Sequence, residues 1–167
     1  MNSEVFQKRR ERFIEQLNDK ELAIIFANDP ITGSGTGAYR FLQNSNFFYF
    51  TGLDTPEAVL VMGRQGENRI DTLFIEKNIP ERIVWDGAKM YPEEATEICG
   101  IKNIQFLDNF HNSISFMLFQ SDKAFINIGL PEIKKPLDKV QHFVKKIRNK
   151  VPHVQFKDVD FLIKPLR

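Results

Sequence analysis

The run Leu22-Ala23-Ile24-Ile25-Phe26-Ala27 is apolar without a break, and Asn28-Asp29-Pro30 stops it. A run of strand length with no polar alternation suits a strand covered on both faces, not one with a wet side. It reads as a central strand. Around it, Ala58 to Met62 and Thr72 to Ile75 read as two further strands, and the polar segment between them, with Gly63 and Gly66, turns the chain back into an antiparallel pair. Asn103 to Leu107 and Ala124 to Ile128 read as strands flanking a helix with Phe110, Ile114, Met117 and Leu118 on one face.

Helices fill the rest. Ser3 caps a first helix in which Phe6, Phe13, Ile14 and Leu17 recur at helical spacing, running to about Leu17. Pro92 with Glu93 and Glu94 suits the first turn of a short helix reaching about Cys99 and closed by Gly100. After Pro136, Leu137, Val140, Val144 and Ile147 form an apolar stripe that Phe143 widens. This order predicts an α/β fold in which a mixed β-sheet is flanked by helices on both faces. With 167 residues, 42% hydrophobic and 27% charged, the chain is sized for one domain, residues 1–167.

Composition removes several functions. The 23 basic and 22 acidic side chains leave a net charge of +1, which supplies no field for steering a nucleic acid. Cys99 is the single cysteine, so neither an intrachain disulfide nor a cysteine-paired zinc site is available, and a reducing cytoplasm fits. The charged residues between Met1 and Asn18, and the lack of a long apolar run, predict neither a secretory signal nor a membrane anchor.

Candidate chemistry is sparse. Gly33-Ser34-Gly35-Thr36-Gly37 resembles a phosphate cradle only in composition; Pro30 intervenes and no Gly-Lys-Ser/Thr follows, so it reads as a flexible loop. His111, His142 and His153 have no metal-ligand spacing, and Cys99 before Gly100 reads as a buried inert thiol. Lys134, Lys135, Lys139, Lys145, Lys146, Arg148 and Lys150 make a basic segment that reads as a solvated face. Glu76, Glu81, Asp86, Glu93 and Glu94 are available carboxylates whose convergence the sequence does not establish. Ile83-Val84-Trp85-Asp86-Gly87 ends in a turn, which places the Trp85 indole on a rim, although spacing alone favours core packing for so large a ring.

Two motif blocks go further. Gln43-Asn44-Ser45-Asn46-Phe47-Phe48-Tyr49-Phe50-Thr51-Gly52, with Ser45 or Asn46 capping a helical turn that Gly52 ends, is followed by Pro56-Glu57-Ala58-Val59-Leu60-Val61-Met62. Trp85-x-Gly87 is followed by Ala95 and Gly100-Ile101. Together these resemble the amino-terminal domain of the aminopeptidase P and prolidase family, the Xaa-Pro aminopeptidases. Arg9-Arg10 resembles the family's first helix, and Asp158 to Arg167 resembles the stretch leading into its catalytic domain. Asn46 stands where the family has aspartate, Lys89 where it has arginine, and Tyr91 where it has glycine.

The resemblance implies a creatinase-like, non-catalytic domain. It implies a separate pita-bread catalytic domain, absent from this chain, holding two divalent metal ions, often manganese, and cleaving before a proline in second position. None of those metal ligands has a counterpart here, so the resemblance assigns this chain no catalytic or metal residue. It implies a homo-oligomer acting on proline-containing peptides, with Trp85 at the substrate entrance. A stand-alone peptide- or protein-binding module on the same fold is the other reading.

Overall fold

The computed structural model describes residues 3–30, 41–129 and 132–167; the Gly33–Gly37 segment lies outside them. In chain order the helices are α1 (Ser3–Glu15), α2 (Ser45–Thr51), α3 (Pro80–Asp86), α4 (Pro92–Cys99), α5 (Phe110–Phe119), α6 (Lys139–Arg148) and α7 (Asp160–Ile163). The strands are β1 (Glu21–Phe26), β2 (Val59–Gln65), β3 (Asn68–Ile75), β4 (Asn103–Phe106), β5 (Lys123–Ile126) and β6 (Gln155–Asp158). They form one sheet in the order β4-β3-β2-β1-β5-β6. Only β2 runs against the others, since β1 and β3 pair with it antiparallel while the β1–β5, β3–β4 and β5–β6 pairs are parallel.

The apolar run of β1 explains the layering. Successive side chains point to opposite faces of a strand. Ala23 and Ile25 accordingly enter one core with Phe13, Phe47, Ala95 and Ile163 from α1, α2, α4 and α7. Leu22, Ile24 and Phe26 enter the other, with Phe110 and Ile114 of α5 and Val144 and Ile147 of α6. Every residue of β1 is buried, and each large aliphatic side chain so placed contributes roughly 1.5–3 kcal/mol. The sheet is mixed and helices cover both faces.

Several local expectations are corrected. Gly63 lies inside β2, not in the turn; a Cβ there would come within 2.4 Å of Leu22 Cδ2 and 2.7 Å of the Glu21 carbonyl, so the glycine lets β1 and β2 close up. Leu137 precedes α6 and is exposed, because Asp138 caps that helix with a capping box to Gln141. Neither Ser45 nor Asn46 caps α2. Asn44 does, its side chain accepting from the Asn46 and Phe47 amides at 3.0 and 3.1 Å, and Gly52 closes the helix in the left-handed conformation at φ 67°.

Released from capping, Asn46 is buried, donating to Asp160 Oδ1 at 2.7 Å and accepting from Arg167 Nη2 at 2.8 Å. An aspartate at this position would oppose the Asp160 carboxylate, which gives the departure from the family pattern a physical reason. Asn46→Asp should therefore cost about 1–3 kcal/mol at neutral pH, as the loss of a buried charged hydrogen bond, and Asp160→Asn in the same chain should restore most of it. Equal stability of the single and double variants in urea unfolding would refute the coupling.

Arg9 and Arg10 grip the same short helix. Arg9 Nη1 donates to the Tyr49 carbonyl at 2.9 Å, and Arg10 Nη1 to the Phe50 carbonyl at 2.8 Å. At the other end of β1, buried Glu21 pairs with Lys123 across the β1–β5 register at 2.6 Å. Burial pushes the Glu21 carboxyl up, but bonds from Lys123 and Asn18 outweigh it and leave the group below its ordinary value of 4.5. A depressed carboxylate contributes stability that is fully present above the unfolded value and is lost as pH falls through the folded one. The unfolding midpoint should thus fall below about pH 4.5, and Lys123→Met should flatten that part of the pH profile.

Candidate functional site

The Trp85 segment is a projecting helical loop between β3 and α4. Pro80 occupies the first turn of α3, where its missing amide loses no helical bond, and Gly87 ends the helix at φ 77°. The base of the loop is stapled. Asn78 Nδ2 donates to the Lys89 carbonyl at 2.9 Å, the Lys89 amide donates back to Asn78 Oδ1 at 2.7 Å, and Lys89 Nζ meets Glu76 Oε2 at 3.0 Å. Between these fixed ends Ile83 turns inward and half-buries.

Trp85 and its neighbour Val84 turn outward, 86% and 83% exposed. Core packing of the indole, which spacing alone favoured, is thereby overturned, and the ring stands on a helix in place of the expected turn. No core contact requires the apolar character of either residue. The Lys89 side chain, at the family's arginine position, is engaged with Glu76 and acts on the staple.

The other candidates are dispersed. Cys99 is buried; burial pushes its thiol up, and Sγ accepts from the Ile101 amide at 3.4 Å, as suits a packing residue. His153 lies beside the Phe119 carbonyl at 3.1 Å, whereas His111 and His142 line a cleft between α5 and α6. Glu81, Glu93 and Glu94 are exposed on α3 and α4. Among the described residues no three His, Cys, Asp or Glu side chains group as a metal site, and no helix is long and apolar enough to cross a membrane.

Residues 6–126 match the family described as aminopeptidase P, N-terminal domain. The chain belongs to this family. The Xaa-Pro aminopeptidase of Escherichia coli K12 is 35% identical over 104 residues, an alignment that covers 58% of this chain and 22% of that protein. A solved Bacillus anthracis structure, assigned as an aminopeptidase P, superposes with a TM-score of 0.87 at 34% identity, covering 95% of this chain and 38% of the other. Zn-substituted E. coli aminopeptidase P in complex with product shares the fold, with a TM-score of 0.78 at 24% identity over 95% of this chain and 37% of that one. The chain thus spans between a fifth and two-fifths of these aminopeptidase P proteins.

The aminopeptidase P domain match ends at Ile126, the last residue of β5, so it takes in the α3 loop and leaves out α6, β6 and α7.

Proposed function

We propose that this chain is the non-catalytic amino-terminal domain of a metal-dependent Xaa-Pro aminopeptidase and that Trp85 lines the peptide entrance of the assembled enzyme. The observation that carries the reading is the exposure of Trp85 and Val84 on a stapled helix, in a chain whose relatives are Xaa-Pro aminopeptidases. An indole held clear of the core supplies flat apolar contact without entering proton or metal chemistry. The chemistry belongs to a catalytic domain of the same polypeptide. There two divalent metal ions, manganese in this proposal, activate the water that attacks the bond before proline. This domain walls the entrance and supports a homo-oligomer in the cytoplasm.

Two measurements test the proposal together. The 167-residue chain supplied with manganese should not hydrolyse Xaa-Pro peptides, because its described residues offer no converging ligand set. In a chain joined to its catalytic domain, Trp85→Ala should raise KM for longer peptides about three- to tenfold, the worth of one aromatic contact. Metal content should not change, and the unfolding free energy should move by less than about 0.5 kcal/mol, as for an exposed side chain. Unchanged kinetics on long and short peptides alike would sink the entrance role.

A further inference from the structure

A cleft of about 780 Å³ opens where the carboxyl ends of β1, β3 and β4 meet α5 and α6. These three strands are parallel to one another, and open α/β sheets take their ligands outside the carboxyl ends of such strands. The volume falls within the range of small-molecule sites, about 300–1,000 Å³. The cleft is distinct from the outward face of α3 that carries Trp85.

Its floor is aromatic. Phe26 of β1 lies edge-on to Phe110 of α5 and Phe143 of α6, with ring centroids 6.0 and 5.2 Å away. Val59 and Leu107 extend the apolar lining.

The rim is charged, and its charges do not cancel. One of its acids, Glu76, is already engaged by Lys89, and Asp29, just outside the cleft, engages Lys139. Arg82 from α3 and Lys146 from α6 line the cleft and form no ion pair among the described residues. His111 and His142 add ring nitrogens, and Lys139, His142 and Lys146 fall at helical spacing along one side of α6. The basic segment read as a solvated face therefore contributes three residues to a concave surface.

Glu57 and Asp108 are the remaining acids on the rim. Glu57 is held at φ 59°, a left-handed conformation that side chains rarely adopt. Its amide bonds to the Asn28 carbonyl at 3.1 Å, and the Ala27 amide to the Ala58 carbonyl at 2.8 Å, so the pairing of β1 with the start of β2 imposes it. Burial, then the nearby Glu76 carboxylate, push the Glu57 carboxyl above its ordinary value. Strained backbone beside a cavity of this composition marks functional sites.

We propose that this cleft binds a small aromatic carboxylate, its ring on Phe26, Phe110 and Phe143 and its acid group held by Arg82 and Lys146. An apolar floor fixes the body, and unpaired cations on the rim select the sign of the head group.

The probes are 3-phenylpropionate, the matching amine 3-phenylpropylamine, and acetate, each titrated into the 167-residue chain and followed by amide chemical shifts. Phenylpropionate should give saturable shifts at His111, His142 and Phe143, with affinity at least about fivefold above the amine and above acetate, in line with one charge-assisted bond and one apolar body. Arg82→Glu and Lys146→Glu should each weaken it about tenfold, the worth of one such bond. Both positions are exposed, so the unfolding midpoint serves as the control for folding. Equal or tighter binding of the amine, or phenylpropionate shifts that stay linear or persist in the double variant, would overturn the proposal.

Discussion

Gly52→Ala is expected to lower stability by about 2–5 kcal/mol, the sum of overpacking and left-handed backbone strain. A Cβ built on Gly52 would lie 2.2 Å from Phe6 Cζ and 2.4 Å from Cε2, far inside van der Waals contact with a ring that is itself 1% exposed. Phe6 has nowhere to retreat, because α1 presses it onto the end of α2. Gly66 supplies the control. It too has a positive φ, 61°, but a Cβ there meets nothing within 4 Å, so Gly66→Ala should carry only the backbone cost of roughly 1 kcal/mol. Thermal unfolding of the pair separates contact from conformation, and equal midpoints for the two variants would show that the Phe6 contact contributes nothing.

The second large effect belongs to Arg10. Its side chain is 1% exposed and meets Asp71 Oδ2 at 3.0 Å, while Asp71 itself stays 33% exposed. Removing either partner is therefore not symmetric. Asp71→Ala strands a guanidinium that water cannot reach, which should cost about 3–5 kcal/mol. Arg10→Met leaves a carboxylate that solvent partly satisfies and fills much of the vacated volume, so roughly 1–3 kcal/mol is expected. Nη2 of Arg10 and Oδ1 of Asp71 have no protein partner, which keeps the intact pair from being worth more. A larger loss for Arg10→Met than for Asp71→Ala in urea unfolding would contradict this ordering.

The layered α/β architecture was legible because its central strand is apolar on both faces and its helices carry stripes at the helical period. β6 was not, since its edge position exposes Gln155 and Lys157 and leaves Phe156 as its only large apolar side chain. Nor was α3: Pro80 and Glu81 carry the same start signal as Pro92 and Glu93, but Val84 and Trp85 point to solvent and break the stripe. The cap on Asn44 is hidden in the sequence because Ser45 and Asn46 beside it are equally able acceptors, and only the backbone path decides among neighbours. The identity of Trp85 stood out through its motif. Its exposure depended on the Asn78–Lys89 staple, which pairs residues 11 positions apart and has no periodic signature. The cleft draws on α3, α5, α6 and three strand ends, so no local window contains its pattern.

The placement of β1 also sets an order of assembly. Its β2 edge can be occupied early, but the partner on its other edge lies 102 positions downstream, as the Glu21–Lys123 pair shows. At synthesis rates of about 5–20 residues per second, that edge waits roughly 5–20 s for β5. Throughout that interval the most apolar strand of the chain offers an open hydrogen-bonding edge to any neighbouring molecule. Chains interrupted before Lys123 should accumulate in the pellet, and those that include β5 should not, which makes the late-made half of the sheet the guardian of the strand made first.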